Sequence, residues 1–163
     1  MLPARTLLNP PPVGELLAEL AAFRERVARL LADAAADWLR RPAEGEWSLT
    51  EIACHLRDVE REVHQARFNA LLEDDSAFLA GVDADEWAMT RNYQAQDGRA
   101  AAAAFVTDRA ETIARLAPLP LAVWERQGQH TFFGPTSLHE LVYLAVQHDR
   151  VHGGQMEWLV ASD

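Results

Sequence analysis

Three histidines carry the chemistry this chain suggests. His148 and His152 lie four residues apart in a segment patterned as a helix, so they stand one turn apart on the same face. His55 lies far upstream, three residues after Ile52 and four before Val59, on the apolar stripe of another helical segment. Taken alone, an H-x-x-x-H spacing also describes two core histidines or a seam at a subunit interface. A single histidine on an apolar face can likewise be satisfied by a carbonyl or a water. The combination says more. Three imidazoles buried in one bundle core leave several ring nitrogens to be satisfied, and one divalent cation satisfies three of them. Three protein ligands also leave a coordination position open. His55, His148 and His152 are therefore the expected ligands of one metal ion. Asp149 follows His148 where H-E-x-x-H metalloproteases carry Glu.

The other histidines serve as a control. His64 is nine residues from His55, and nine helical steps of about 100° carry it to the opposite side. His139 is nine residues before His148 and points away by the same reasoning, while His130 falls in a loop. All three are expected to be ordinary surface residues. Cys54 is rotated about 100° from its neighbour His55, which fits a small core residue better than a fourth ligand. Gln155 stands one turn past His152, placed to hold a ligand imidazole or a bound water. A polar residue closing the bundle end is the alternative. Trp47, Trp87, Trp124 and Trp158 read as packing residues.

Four helices must position these groups. Apolar residues recur at helical spacing from Val13 to Trp38. Ser48 and Glu51 form a capping box that opens a second helix, with its stripe running from Leu49 to Ala70. Arg99 to Leu116 gives a third, and a second capping box at Ser137 and Glu140 opens the last. The polar stretch from Glu73 to Gly98 and the stretch from Leu119 to Pro135 read as irregular connections, with no convincing strand. This predicts an all-α four-helix bundle over residues 1–163 as one domain. For the three histidines to meet, helices two and four must run antiparallel. With helices one and two as a hairpin and a long crossover between helices two and three, the order is up-down-down-up.

Composition narrows the function. Of 163 residues, 49% are hydrophobic and 25% charged, enough for a buried core rather than disorder. The net charge is −10, all basic residues are Arg, and no dense basic run exists, which argues against a nucleic-acid partner. The N-terminal stretch lacks a signal-peptide pattern, and no segment approaches the roughly 18 apolar residues of a membrane span. One cysteine excludes an intrachain disulfide. A cytoplasmic location is the expectation.

Gly45 to Leu56 reads G-E-W-S-L-T-E-I-A-C-H-L, and His148 to Gln155 reads H-D-R-V-H-G-G-Q. With these segments the chain resembles the DinB-like family of four-helix metalloenzymes, also called the DinB and YfiT-like group. There a G-x-W-S segment opens helix two and delivers the first metal histidine, and an H-D-x-x-H-x-x-Q segment delivers the other two. The resemblance implies the same bundle order, a zinc or nickel ion on three histidines, and frequent homodimers. It also implies a link to the stress response, because founding members are induced by DNA damage. Members with assigned activity are mostly thiol-dependent, among them bacillithiol S-transferases and mycothiol-dependent isomerases.

The expectation is thus a divalent-metal-dependent S-transferase or isomerase acting on a small-molecule substrate with a low-molecular-weight thiol. A metal-dependent hydrolase, or a non-catalytic metal-binding protein, are the alternatives. The two irregular stretches would wall the electrophile pocket. Arg57, Arg91 and Arg150 are candidate anchors for a thiol's carboxylates, with ordinary surface charge as the competing role.

Overall fold

The computed structural model describes residues 9–161; the stretch Met1–Leu8, part of the segment read above for a signal peptide, lies outside the described residues. Four long helical rods form the bundle. The first is α1 (Val13–Ala32). The second is continuous from Leu49 to Glu73 but has three parts: α2 (Leu49–Val59), a π-helical turn (Glu60–Gln65) and α3 (Ala66–Glu73). A short α4 (Trp87–Thr90) precedes the third rod, α5 (Gly98–Leu116). A short α6 (Leu121–Trp124) precedes the fourth, α7 (Leu138–Ala161). Among the described residues no helix is long and apolar enough to cross a membrane.

Both expected capping boxes form. Ser48 Oγ accepts from the Glu51 amide, and the Glu51 carboxylate accepts from the Ser48 amide at 2.9 Å. At α7 the Ser137 amide donates to the Glu140 carboxylate at 2.7 Å, and the Glu140 amide donates to Ser137 Oγ at 3.1 Å. The first helix, however, stops at Ala32 rather than Trp38. Asp33 and Asp37 draw the following amides onto their own carboxylates, at 2.9 Å for Ala35 and 3.0 Å for Leu39, and such local bonds compete with the helical ladder. Trp38 still reaches the core, and its carbonyl accepts the Thr50 amide.

Cross-helix contacts give the directions. Gly98 lies against Thr50, and Glu60 and Gln65 reach Thr112, so the second rod and α5 run side by side in the same sense. Arg24 meets Val106 and Arg99 meets Leu31, so α1 and α5 are antiparallel. Arg150 meets Glu19 and Arg26 meets Gly153, so α1 and α7 are parallel. His55 faces the later half of α7, whereas Leu71 packs near its start among Leu138 and Leu141, so these two rods oppose each other. The expected hairpin of helices one and two is corrected: α1 packs on α5 and α7, not beside α2.

The irregular stretches also hold strands. β1 (Phe78–Leu79) pairs in parallel with β2 (Gln127–His130), which pairs antiparallel with β3 (Gly134–Ser137). Segments this short, with sequences such as Gln-Gly-Gln-His, carry no alternation to announce a strand. The sheet ties the two connections together over one flank of the bundle.

Candidate metal centre

The structure brings His55, His148 and His152 together. One ligand-capable atom from each lies within 4.8 Å of the other two, and they form the cluster of this kind found among the described residues. His55 Nε2 and His148 Nε2 are 2.9 Å apart, and the ring centres of His148 and His152 are 4.4 Å apart. His152 Nδ1 is 2.7 Å from Gln155 Oε1. That acceptor fixes the proton on Nδ1, leaving the Nε2 lone pair for the cluster. Gln155 therefore holds a candidate ligand imidazole, the first of its two expected roles. Trp47 closes one side, its ring stacked within 4° of parallel on His152 and 4.9 Å from His55.

Burial keeps these rings neutral. It pulls His55 down to about 3, helped by the neighbouring His152 and His64. It holds His148 well below the ordinary range and lowers His152 too, against the opposing bond from Gln155. Neutral imidazoles with convergent ring nitrogens are the donor set a divalent cation requires. An ion with bonds of about 2.1 Å is within reach of small rotations of the three rings.

Cys54 belongs elsewhere. It is fully buried, its Sγ lies 3.7 Å from Gln96 Oε1, and burial pushes its thiol up to about 11. Asp149, between the two histidines of α7, turns inward and pairs with Arg109 at 2.6 Å. Arg109 also binds Glu60 at 2.9 Å, and all three side chains are buried. The acidic residue of the H-D-x-x-H segment thus serves bundle cohesion.

His64 departs from expectation. It is 7% exposed and its ring stands 5.4 Å from His148. The π turn absorbs one extra residue, so nine residues advance by only about eight α-helical steps and His64 swings back to roughly 80° from His55. His130 is also corrected: it sits in β2 and is 5% exposed. His139 stays outside the cluster, half-buried, with Nε2 2.7 Å from the Pro11 carbonyl.

A cleft of about 300 Å³ opens beside the histidines. His55, His148 and His64 line its floor; Val82 to Asp85 come from one connection, and His130, Phe132 and Phe133 from the other. Both irregular stretches thus wall the pocket. None of the three expected anchors lines it. Arg57 pairs with Asp58, Arg150 with Glu19, and Arg91 with Asp58 and Glu62 while lying over the Trp87 ring. The arginine that does line the cleft is Arg67, on α3. The helical phase of α3 is set by the π turn, and no glycine or proline in Glu60–Gln65 signals that turn in the sequence.

Comparison with solved structures finds the same architecture in YfiT from Bacillus subtilis, described as a probable metal-dependent hydrolase with an unusual four-helix bundle topology. The TM-score is 0.79 at 16% identity, over 94% of this chain and 90% of that one. No curated protein matches the sequence. Residues 34–156, which contain all three clustered histidines, match the DinB superfamily. The chain belongs to the DinB superfamily.

Proposed function

We propose that this protein is a divalent-metal-dependent enzyme that transfers or isomerises through a low-molecular-weight thiol, with His55, His148 and His152 as the metal ligands. The observation that carries the reading is the convergence of three neutral, largely buried imidazoles, two of which, His55 and His148, line an open cleft, with no fourth protein ligand in the cluster among the described residues. A bound zinc or nickel ion, the metals the family resemblance implies, would supply Lewis acidity that lowers the pKa of a thiol or of water. The chain's own residues orient that site. Gln155 holds His152 in the tautomer that directs Nε2 inward. Trp47 covers two of the rings and excludes water from one side. Cys54, held as a thiol by burial, does not serve as the nucleophile, so thiol chemistry here needs a thiol from outside.

One observation favours hydrolysis as the second reading. His64, kept neutral near 4 by burial, lines the same cleft, where it is placed to accept a proton from water. The hydrolase activity attributed to the similarly folded YfiT points the same way. The test is metal-analysed protein assayed with several thiols and a general electrophile. Metal-dependent formation of a thiol adduct, or thiol-dependent isomerisation, at a rate that saturates with thiol is the expected result. Equal turnover with and without thiol assigns the hydrolase, and no turnover with any partner assigns a binding protein.

A further inference from the structure

The cleft holds polar groups that the metal centre does not use. Arg67 donates one terminal nitrogen to the Ala80 carbonyl at 2.7 Å, but its Nε is buried without a partner. Among the described residues no carboxylate pairs with it. The side chain as a whole is only half-buried, but the buried Nε–H without an acceptor is desolvated without compensation. His130, from the opposite wall, is 5% exposed. Its Nδ1 accepts the Phe132 amide at 3.1 Å, so the proton of the neutral ring sits on Nε2. That Nε2–H is also buried without a partner. Two residues with unmet donors, one of them cationic, thus line a cleft whose other walls include Val59, Val63, Leu144 and Phe132. The carboxylates on the lining, Asp83 and Asp85, are exposed at the rim, where they disfavour a ligand carrying a second negative charge.

We infer that Arg67 and His130 form a subsite for the carboxylate of a monoanionic substrate with an apolar body. The carboxylate accepts from Arg67 Nε and His130 Nε2, and the apolar body lies along the valine, leucine and phenylalanine walls. The ligand's role as substrate rests on the enzymatic reading above; the subsite itself does not.

The test titrates zinc-loaded and metal-free protein with 3-phenylpropanoate and with its neutral amide. The acid is expected to bind about ten-fold or more tightly than the amide in both forms, the scale of a charge-assisted hydrogen bond. Arg67→Met should reduce that preference to under roughly three-fold while leaving metal content unchanged. His130→Asn keeps an acceptor for the Phe132 amide but removes the Nε2 donor, and should weaken acid binding about three- to ten-fold. Equal affinity of acid and amide in metal-free wild-type protein, or no binding of the acid, overturns the subsite without needing any variant to fold. Preference for the acid surviving in metal-free Arg67→Met overturns it as well. Absence of any metal-dependent turnover in the thiol and electrophile assay, with this preference intact, would instead sink the enzymatic reading and leave the subsite standing.

Discussion

At the scale of single residues, the cluster turns on three ring nitrogens and one amide. Replacing His148 or His152 with Ala should lower metal content at least about ten-fold, since each supplies one of few protein ligands. His139→Ala should leave it unchanged; equal losses by elemental analysis would show that the cluster is not the binding site. Gln155→Leu removes the acceptor that sets the His152 tautomer. Metal affinity should fall about 10- to 100-fold in competitive chelator titrations. His64 adds a pH term. Its folded value is about 4 against an ordinary 6.5, so the unfolded chain takes up a proton first as pH falls. That contribution is complete above pH 6.5 and is lost as pH drops toward 4, the loss reaching about 2 kcal/mol by pH 5. Urea melts of metal-free protein should therefore depend less steeply on pH between these limits in His64→Gln. An unchanged slope would refute the assignment.

At the scale of elements, close approach and phase decide the architecture. A Cβ at Gly98 would lie 2.7 Å from the Thr50 Cα, so Gly98→Ala must push the start of α5 away from α2. A cost of about 1–3 kcal/mol is expected in denaturant melts, as for overpacked cores; an unperturbed midpoint would mean the contact is not tight. The capping boxes and apolar stripes made the long helices legible, because those signals are local and repeat. The π turn was not legible. It is stabilised by what it delivers, with Glu60 held by Arg109 and Thr112, and those partners lie 49 and 52 residues away. The same turn brought His64 and Arg67 to the cleft and undid the control argument built on helical steps.

At the scale of the whole molecule, Arg109 links the second rod to α7 from its place on α5. Arg109→Met would strand two buried carboxylates, and a loss of about 3–5 kcal/mol is expected in thermal or denaturant unfolding. A loss under ~1 kcal/mol would show the pair to be dispensable. A homodimer is the further expectation. Leu17 and Leu31 pack against the core clusters, whereas Trp158, expected from the sequence to pack, is 54% exposed. It shares an α7 face with Val151, seven residues earlier and 62% exposed. Sedimentation at micromolar concentration should give twice the 18.2 kDa chain mass; an 18.2 kDa species alone would overturn it.

By itself the sequence determined the bundle, the helix starts and the three histidines that converge. Amphipathic period and capping are short-range rules, and His55, His148 and His152 obey them within their own helices. Only the tertiary structure decided which other residues share the cleft. His130 entered through a strand too short to have a pattern, and His64 and Arg67 through a helical phase fixed by a distant ion pair. Tertiary packing also settled that Asp149 holds Arg109 rather than serving the histidines beside it. Each of these outcomes depends on contacts between residues remote in the chain, which no local spacing encodes.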